Sequence, residues 1–268
     1  MNIFLRRPPA NIEAWIKGHR PVPPQPIPDD MLTFTAEQDG SSVSLIGLVY
    51  DTLEQTDVFA SLQYSTDNIT WQEWDGHVIN LNAGEKVYIK ALNPNPDGLT
   101  NISKSLEEKY HNFIFEGKIA ASGNIQYLLE DTGSRTDVPK YAYYHLFAGI
   151  ETPSTFISGL TSAPKLPATK LAADCYSGMF YGCTSLTTAH ELPATTLANG
   201  CYTMMFACCI MLDHAPVLPA KTLADECYWG MFEVCTSLTE APELPAETLA
   251  DDCYKVMFFG CASLNSAP

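Results

Sequence analysis

The sequence is short of charge. Only 17% of its 268 residues are Asp, Glu, Lys or Arg, while 46% are apolar. A chain with so much apolar material is not a disordered one. What charge there is has one dominant sign, with a formal net charge of -16. Nucleic acids and anionic membranes both require a basic footprint, so neither is an expected partner. No apolar run is long enough to cross a bilayer, so membrane insertion is not expected. The start, Met1-Asn-Ile-Phe-Leu-Arg-Arg-Pro-Pro, has no h-region. It reads as the start of a chain made and folded in a cytoplasm, unless a precursor was trimmed.

Cysteine is absent before Cys175 and occurs nine times from there on. No C-x-x-C is present, which removes the usual zinc and thioredoxin-like spacings. Catalytic motifs are missing too: there is no G-x-S-x-G, P-loop or H-E-x-x-H. The six histidines are scattered, and adjacent acids such as Glu107-Glu108 and Asp251-Asp252 read as solvated faces rather than a glycosidase pair. His190 and His214 with Asp213 are the one conceivable metal pair, and solvated surface histidines explain them better. No enzyme activity, cofactor or metal is expected. The sequons at Asn68 and Asn101 carry meaning only in a secreted chain.

What is present is a repeat. The segment from Leu166 to Glu191 recurs from Leu192, Leu218 and Leu244 at one constant spacing, the last copy ending at Pro268. A constant period marks a solenoid, in which each unit buries its apolar face against its neighbours. Aligned, the copies share Phe-x-x-Cys-x-x-Leu-x-x-Ala-x-x-Leu-Pro, as in Phe180, Cys183, Leu186, Ala189, Leu192 and Pro193. Tyr176, Met179, Phe180 and their equivalents are expected to pack repeat on repeat. Leu186, Leu212, Leu238 and Leu264 are expected to point inward from one short strand per coil, ended by a proline that cannot donate to a ladder. Asp225 and Asp251 read as caps of a short helical turn over the Tyr-x-x-Met-Phe run. The cysteines form two columns, with Cys208 left over. They read either as buried thiols, small apolar fillers, or as one disulfide per repeat. The missing signal peptide favours thiols.

Four segments follow. Residues 1–30 form an N-terminal arm and linker. Pro8 to Gly18 reads as a short helix with Ile12, Trp15 and Ile16 on one face. This arm is basic, and five prolines within 21–30 make a stiff linker. Phe4, Arg6, Arg7, Trp15 and Ile16 are the candidate attachment residues, the alternative being a terminus packed on its own domain. Residues 31–119 alternate in short runs split by Gly, Asn and Asp turns, as in an antiparallel, Ig-like β-sandwich. Within them Asn112 to Ile119 reads as a single strand. Residues 120–165 read as a junction with a degenerate capping repeat carrying an insertion, since Tyr143-Tyr-His-Leu-Phe-Ala-Gly echoes the later Tyr-x-x-Met-Phe-x-Gly. Residues 166–268 are the four repeats. The fold class is therefore mostly β with short helices.

The repeat pattern resembles BspA-like leucine-rich repeats, and the whole chain resembles sandwich-plus-repeat proteins of gut anaerobes and their phages. That resemblance implies a binding scaffold. The expected function is a non-enzymatic recognition protein of a virus particle, a phage tail or head appendage. It would be held to other virion proteins through residues 1–30 and would touch a host-surface glycan or protein through the repeats. A cell-surface adhesin is the alternative, and an intracellular scaffold the third reading. Ligand contacts belong between the core columns, at Thr187, His190, Asp213, His214, Glu240 and Glu243, with Trp229 as an aromatic platform. The second copy departs most from the others, which reads either as drift or as tuning for a ligand. The last copy has no cap after it. An uncapped end exposes apolar surface and sheet edge, so Phe258 and Leu264 are expected near a partner chain, in a homo-oligomer or larger assembly, or near residues absent from this sequence.

Overall fold

The computed structural model describes residues 30–49, 52–58, 60–101 and 109–266. The arm, with Phe4, Arg6, Arg7, Trp15 and Ile16, lies outside the described residues. The chain is mostly β. Its first strands are β1 (Thr33–Ala36), β2 (Ser41–Val49), β3 (Gln55–Thr56), β4 (Leu62–Ser65) and β5 (Gln72–Trp74). Then come β6 (Ile79–Leu81), β7 (Lys86–Ala91), β8 (Thr100–Asn101), β9 (Lys109–Glu116) and β10 (Ile119–Ser122). Five short strands follow: β11 (Asp137–Val138), β12 (Ile150–Glu151), β13 (Phe156–Ile157), β14 (Leu160–Ser162) and β15 (Lys170–Leu171). The single strand expected over Asn112 to Ile119 is two. Gly117, at a φ of +74°, separates β9 from β10.

Two sheets carry the first half. One has the order β14-β10-β1-β7-β4-β5, and the other runs β3-β2-β9-β8 with β6 also on β2. Alternation decides which side chains meet between them. Phe34 of β1 lies 5.2 Å, ring to ring, from both Phe113 and Phe115 of β9, and Trp74 of β5 lies 5.8 Å from Phe113.

Both sheets hand an edge to the repeats. Beyond β8, the Phe113 N–H donates to the Leu146 carbonyl at 2.8 Å, and Asn112 Nδ2 donates to the His145 and Ala148 carbonyls. On the other sheet β14 pairs with β10 in parallel, and Ser162 bridges onward to Thr188. Unpaired edges are thereby covered. Phe147 sits at the joint, 5.3 Å from Phe113 and 5.5 Å from Phe180. From there one file of stacked rings runs Phe180, Phe206, Phe232 and Phe258. A second file runs Tyr143, Tyr176, Tyr202, Tyr228 and Tyr254. Leu186, Leu212 and Leu238 are fully buried, as the columns required.

The helical turns expected at Asp225 and Asp251 are not there. Among the described residues the one helix is a 3-10 turn at Ile125–Leu128, capped by the Asn124 side chain. The Tyr-x-x-Met-Phe run is instead a ribbon of consecutive turns. Alternate N–H groups bond within the coil, as Met179 to the Tyr176 carbonyl, and the others bond to the next coil, as Phe180 to the Met205 carbonyl. Every fourth residue is left-handed: Asp174, Gly178 and Gly182 in one coil, Gly200, Met204 and Cys208 in the next. An α-helix cannot absorb such residues, because side chain and carbonyl collide. Asp225 joins coils instead, accepting from the Asp251 N–H and from Asn199 Nδ2.

A strand in each coil is corrected as well. The expected strand at Leu186 and its equivalents is reduced to isolated parallel bridges, Ser162 to Thr188 and His214 to Glu240. A more regular ladder runs on another side, through Lys170, Thr196, Thr222 and Thr248.

Candidate binding surfaces

The expected face is only partly assembled. Thr187 and Thr188 are exposed beside the joint, and the Thr187 N–H and hydroxyl both donate to the Thr161 carbonyl, at 3.0 and 3.1 Å. His214 and Glu240 are bridged neighbours on adjacent coils. Asp213 Oδ1 accepts from His214 Nδ1 at 2.7 Å, which lowers the carboxyl and raises the imidazole from their ordinary values. His190 is half-buried and occupies the register of Pro216 rather than of His214, so the two histidines do not share a column. Burial and the Lys165 charge lower it. Glu243 is exposed. Among the described residues no three ligating side chains lie close enough to hold a metal ion.

Trp229 is a correction. It lies in the turn ribbon, half-buried, and its indole nitrogen is enclosed without a hydrogen-bond partner. It is no exposed platform, because the ribbon packs its ring rather than projecting it.

The divergent second coil has a packing explanation. The left-handed column reads His145, Gly178, Met204, Gly230 and Val256, so large and small alternate. A Cβ on Gly178 would lie 2.2 Å from His145 Nε2, and one on Gly230 would lie 3.3 Å from Met204 Cγ. Met204 fills room that its glycine neighbours leave.

Thr187 opens onto a groove of about 530 Å³ lined by Glu37, Lys118, Thr161, Ser162, Ser185, Thr187, Thr188 and Met211. Its hydroxyls are tied back to the main chain, Ser162 to the Ala121 carbonyl at 2.8 Å and Thr161 to the Ile119 carbonyl at 3.1 Å. Their oxygens remain as acceptors, and Lys118 is the one basic residue of the lining. Sequence reasoning missed Glu37, Lys118, Thr161 and Ser162, because the groove spans a joint between distant segments.

A second cavity, about 650 Å³, was missed entirely. One wall is the outer side of β2 and β9, with Ile46, Leu48 and Ile114; the other is Tyr144, His145 and Tyr181, closed by the β12–β13 hairpin. The ring of His145 lies 4.3 Å from Tyr144 and 5.8 Å from Tyr181, which meets Phe156 at 5.0 Å. Burial holds the His145 imidazole at about 4, so it is neutral near pH 7. The available signal was a broken period: Tyr143 stands further from Tyr176 along the chain than Tyr176, Tyr202, Tyr228 and Tyr254 stand from one another.

Interior thiols and phenols are held neutral. All nine cysteines are free, and burial pushes Cys183 and Cys201 up to about 12. No helix among the described residues is long and apolar enough to cross a membrane. Compared with known proteins, the chain matches no family model, and no curated protein or solved structure is significantly similar to it.

Proposed function

We propose that this chain is a non-enzymatic structural and recognition protein, a phage virion appendage. It joins an Ig-like sandwich to a leucine-rich solenoid of BspA type. The stacked coils act as a display surface and the sandwich as its N-terminal cap. The basic arm, through Phe4, Arg6, Arg7, Trp15 and Ile16, attaches it to other virion proteins.

The hydroxyl groove at the joint carries the recognition half of this reading. The hydroxyls of Thr161, Ser162 and Thr187 are fixed by main-chain hydrogen bonds before any ligand arrives, which limits the ordering cost of binding, and Lys118 and Glu37 add one charge of each sign to the lining. Such a surface suits the hydroxyls of a host glycan or the N–H groups of an exposed peptide segment. The virion half rests on the arm and linker composition. An adhesin would use the same groove from a cell envelope.

The test is binding of the labelled full-length chain to intact host cells, with Thr187→Arg as the variant. Thr187 is exposed, so the substitution fills the groove while leaving the core alone. Saturable binding that falls at least tenfold in the variant supports the reading. Binding unchanged by Thr187→Arg moves recognition away from this groove.

A further inference from the structure

The cavity between the second sheet and the first coil exists because of an insertion. The stretch from Tyr143 to Tyr176 is longer than one repeat period, and the extra chain forms the β12–β13 hairpin, Ile150 pairing Ile157 and Glu151 pairing Phe156. Insertions into repeat arrays gather on one side, commonly the binding side. The volume, about 650 Å³, falls within the range of small-molecule sites.

The lining specifies the ligand. Aliphatic side chains of β2 and β9 face an aromatic wall, so the space between is apolar on both sides. That favours a flat apolar body over a sugar, whose second face carries hydroxyls. The mouth is apolar as well: Leu53 is 59% exposed, Ile150 44%, and Ile157 beside it 58%. The lining mixes donors, on Gln55, His145 and the tyrosines, with the acceptor oxygens of Glu151. Asn112 is 5% exposed and donates both amide hydrogens to the His145 and Ala148 carbonyls, each at 3.1 Å. Its own carbonyl oxygen is buried with no hydrogen-bond partner. Glu151, exposed, is the one acidic side chain of the lining, and no lysine or arginine is among the lining residues.

We propose that this cleft binds a small aromatic amine. Its ring slides between the Ile46, Leu48 and Ile114 wall and the Tyr144, His145 and Tyr181 wall. The ammonium faces the Glu151 carboxylate at the β12–β13 hairpin. This site is separate from the hydroxyl groove, so either assignment stands or falls without the other.

The experiment uses three probes that share an indole ring and differ in charge: tryptamine, indole and indole-3-acetate. Each is titrated into the full-length chain near pH 7 by ligand-observed NMR, with cellobiose as a fourth probe. Tryptamine is expected to bind several times more tightly than indole, and indole-3-acetate more weakly than either. Glu151→Gln should bring tryptamine down to the level of indole and leave indole unchanged. Ile150→Trp places a large ring at the mouth of the hairpin and should abolish binding of all three, with an unchanged unfolding midpoint showing an intact fold. The proposal is overturned if no indole probe binds, if indole-3-acetate binds as well as tryptamine, if cellobiose binds in their place, or if a folded Ile150→Trp binds like wild type.

Discussion

The Cys235 thiol donates its hydrogen to the carbonyl oxygen of Phe206, 3.1 Å away and one coil back. Cys183, Cys209 and Cys261 make the same bond to Phe147, Phe180 and Phe232. The column is therefore a hydrogen-bonded ladder as well as a filler, tying each coil to the ring file of the one before it.

That ladder sets an order of thiol reactivity. Alkylation needs thiolate, and burial disfavours it. Cys208 and Cys261 are half-buried and the other seven are enclosed. Mass spectrometry of the native chain treated with iodoacetamide should show these two labelled first, and all nine labelled only after denaturation. Cys235→Ala removes the thiol hydrogen bond and leaves a small void, so it should cost about 1–2 kcal/mol by denaturant unfolding.

Gly178 is needed for two reasons that can be separated. Its φ is +60°, and His145 occupies the place of a side chain. Gly84 also has positive φ, at +84°, but has open space around it. Gly84→Ala should cost about 1–2 kcal/mol from backbone strain alone, and Gly178→Ala about 1–3 kcal/mol more from overpacking. Adding His145→Ala to Gly178→Ala should recover the overpacking part and leave the strain, measured as a double-mutant cycle.

The first two members of the tyrosine file should respond oppositely to loss of the hydroxyl. Tyr143 donates to Gln126 Oε1 at 2.8 Å, whereas the buried Tyr176 hydroxyl has no partner. Tyr143→Phe strands the Gln126 carbonyl and should destabilise by about 1–2 kcal/mol. Tyr176→Phe should be neutral or stabilising. Thermal unfolding of the two variants checks the sign of each.

Acid should weaken the fold before the carboxylates titrate. His111 Nδ1 donates to the Leu99 carbonyl at 2.6 Å and Nε2 accepts from the Ala60 N–H at 3.3 Å, a pattern that only a neutral ring satisfies. Burial holds His111 and His145 at about 4, below the ordinary 6.5. The unfolded chain therefore takes up protons first as pH falls. The stability from neutral burial is complete above the unfolded value and is lost between about 6.5 and 4, roughly 3 kcal/mol per histidine. Urea midpoints should fall between pH 7 and 5, and a flat profile over that window would contradict the assignment.

The columns were legible in the sequence because a constant period repeats the same burial pattern in every coil. Tyr176, Phe180, Cys183 and Leu186 all lie where the period places them. The turn ribbon was not legible. Left-handed positions are usually announced by glycine, but here Asp174, Met204, Cys208, Glu226, Val234, Asp252 and Val256 also hold them. The helical turn was expected because Asp225 and Asp251 stand where a cap would, ahead of a Tyr-x-x-Met-Phe run at helical spacing. Thr187 was legible as a surface position between core columns. Lys118 and Glu37 were not, since nothing local ties β10 to a coil so much later in the chain. The cleft drew on β2, β9 and an insertion, and only the last left a trace, as a break in the period.

The most direct test of the virion reading is location. An antibody against residues 166–268 is applied to purified phage particles, washed cell envelopes and cytosol from the source culture. Signal on particles, lost when residues 1–20 are deleted, is the predicted result. Signal confined to envelopes or to cytosol would contradict it.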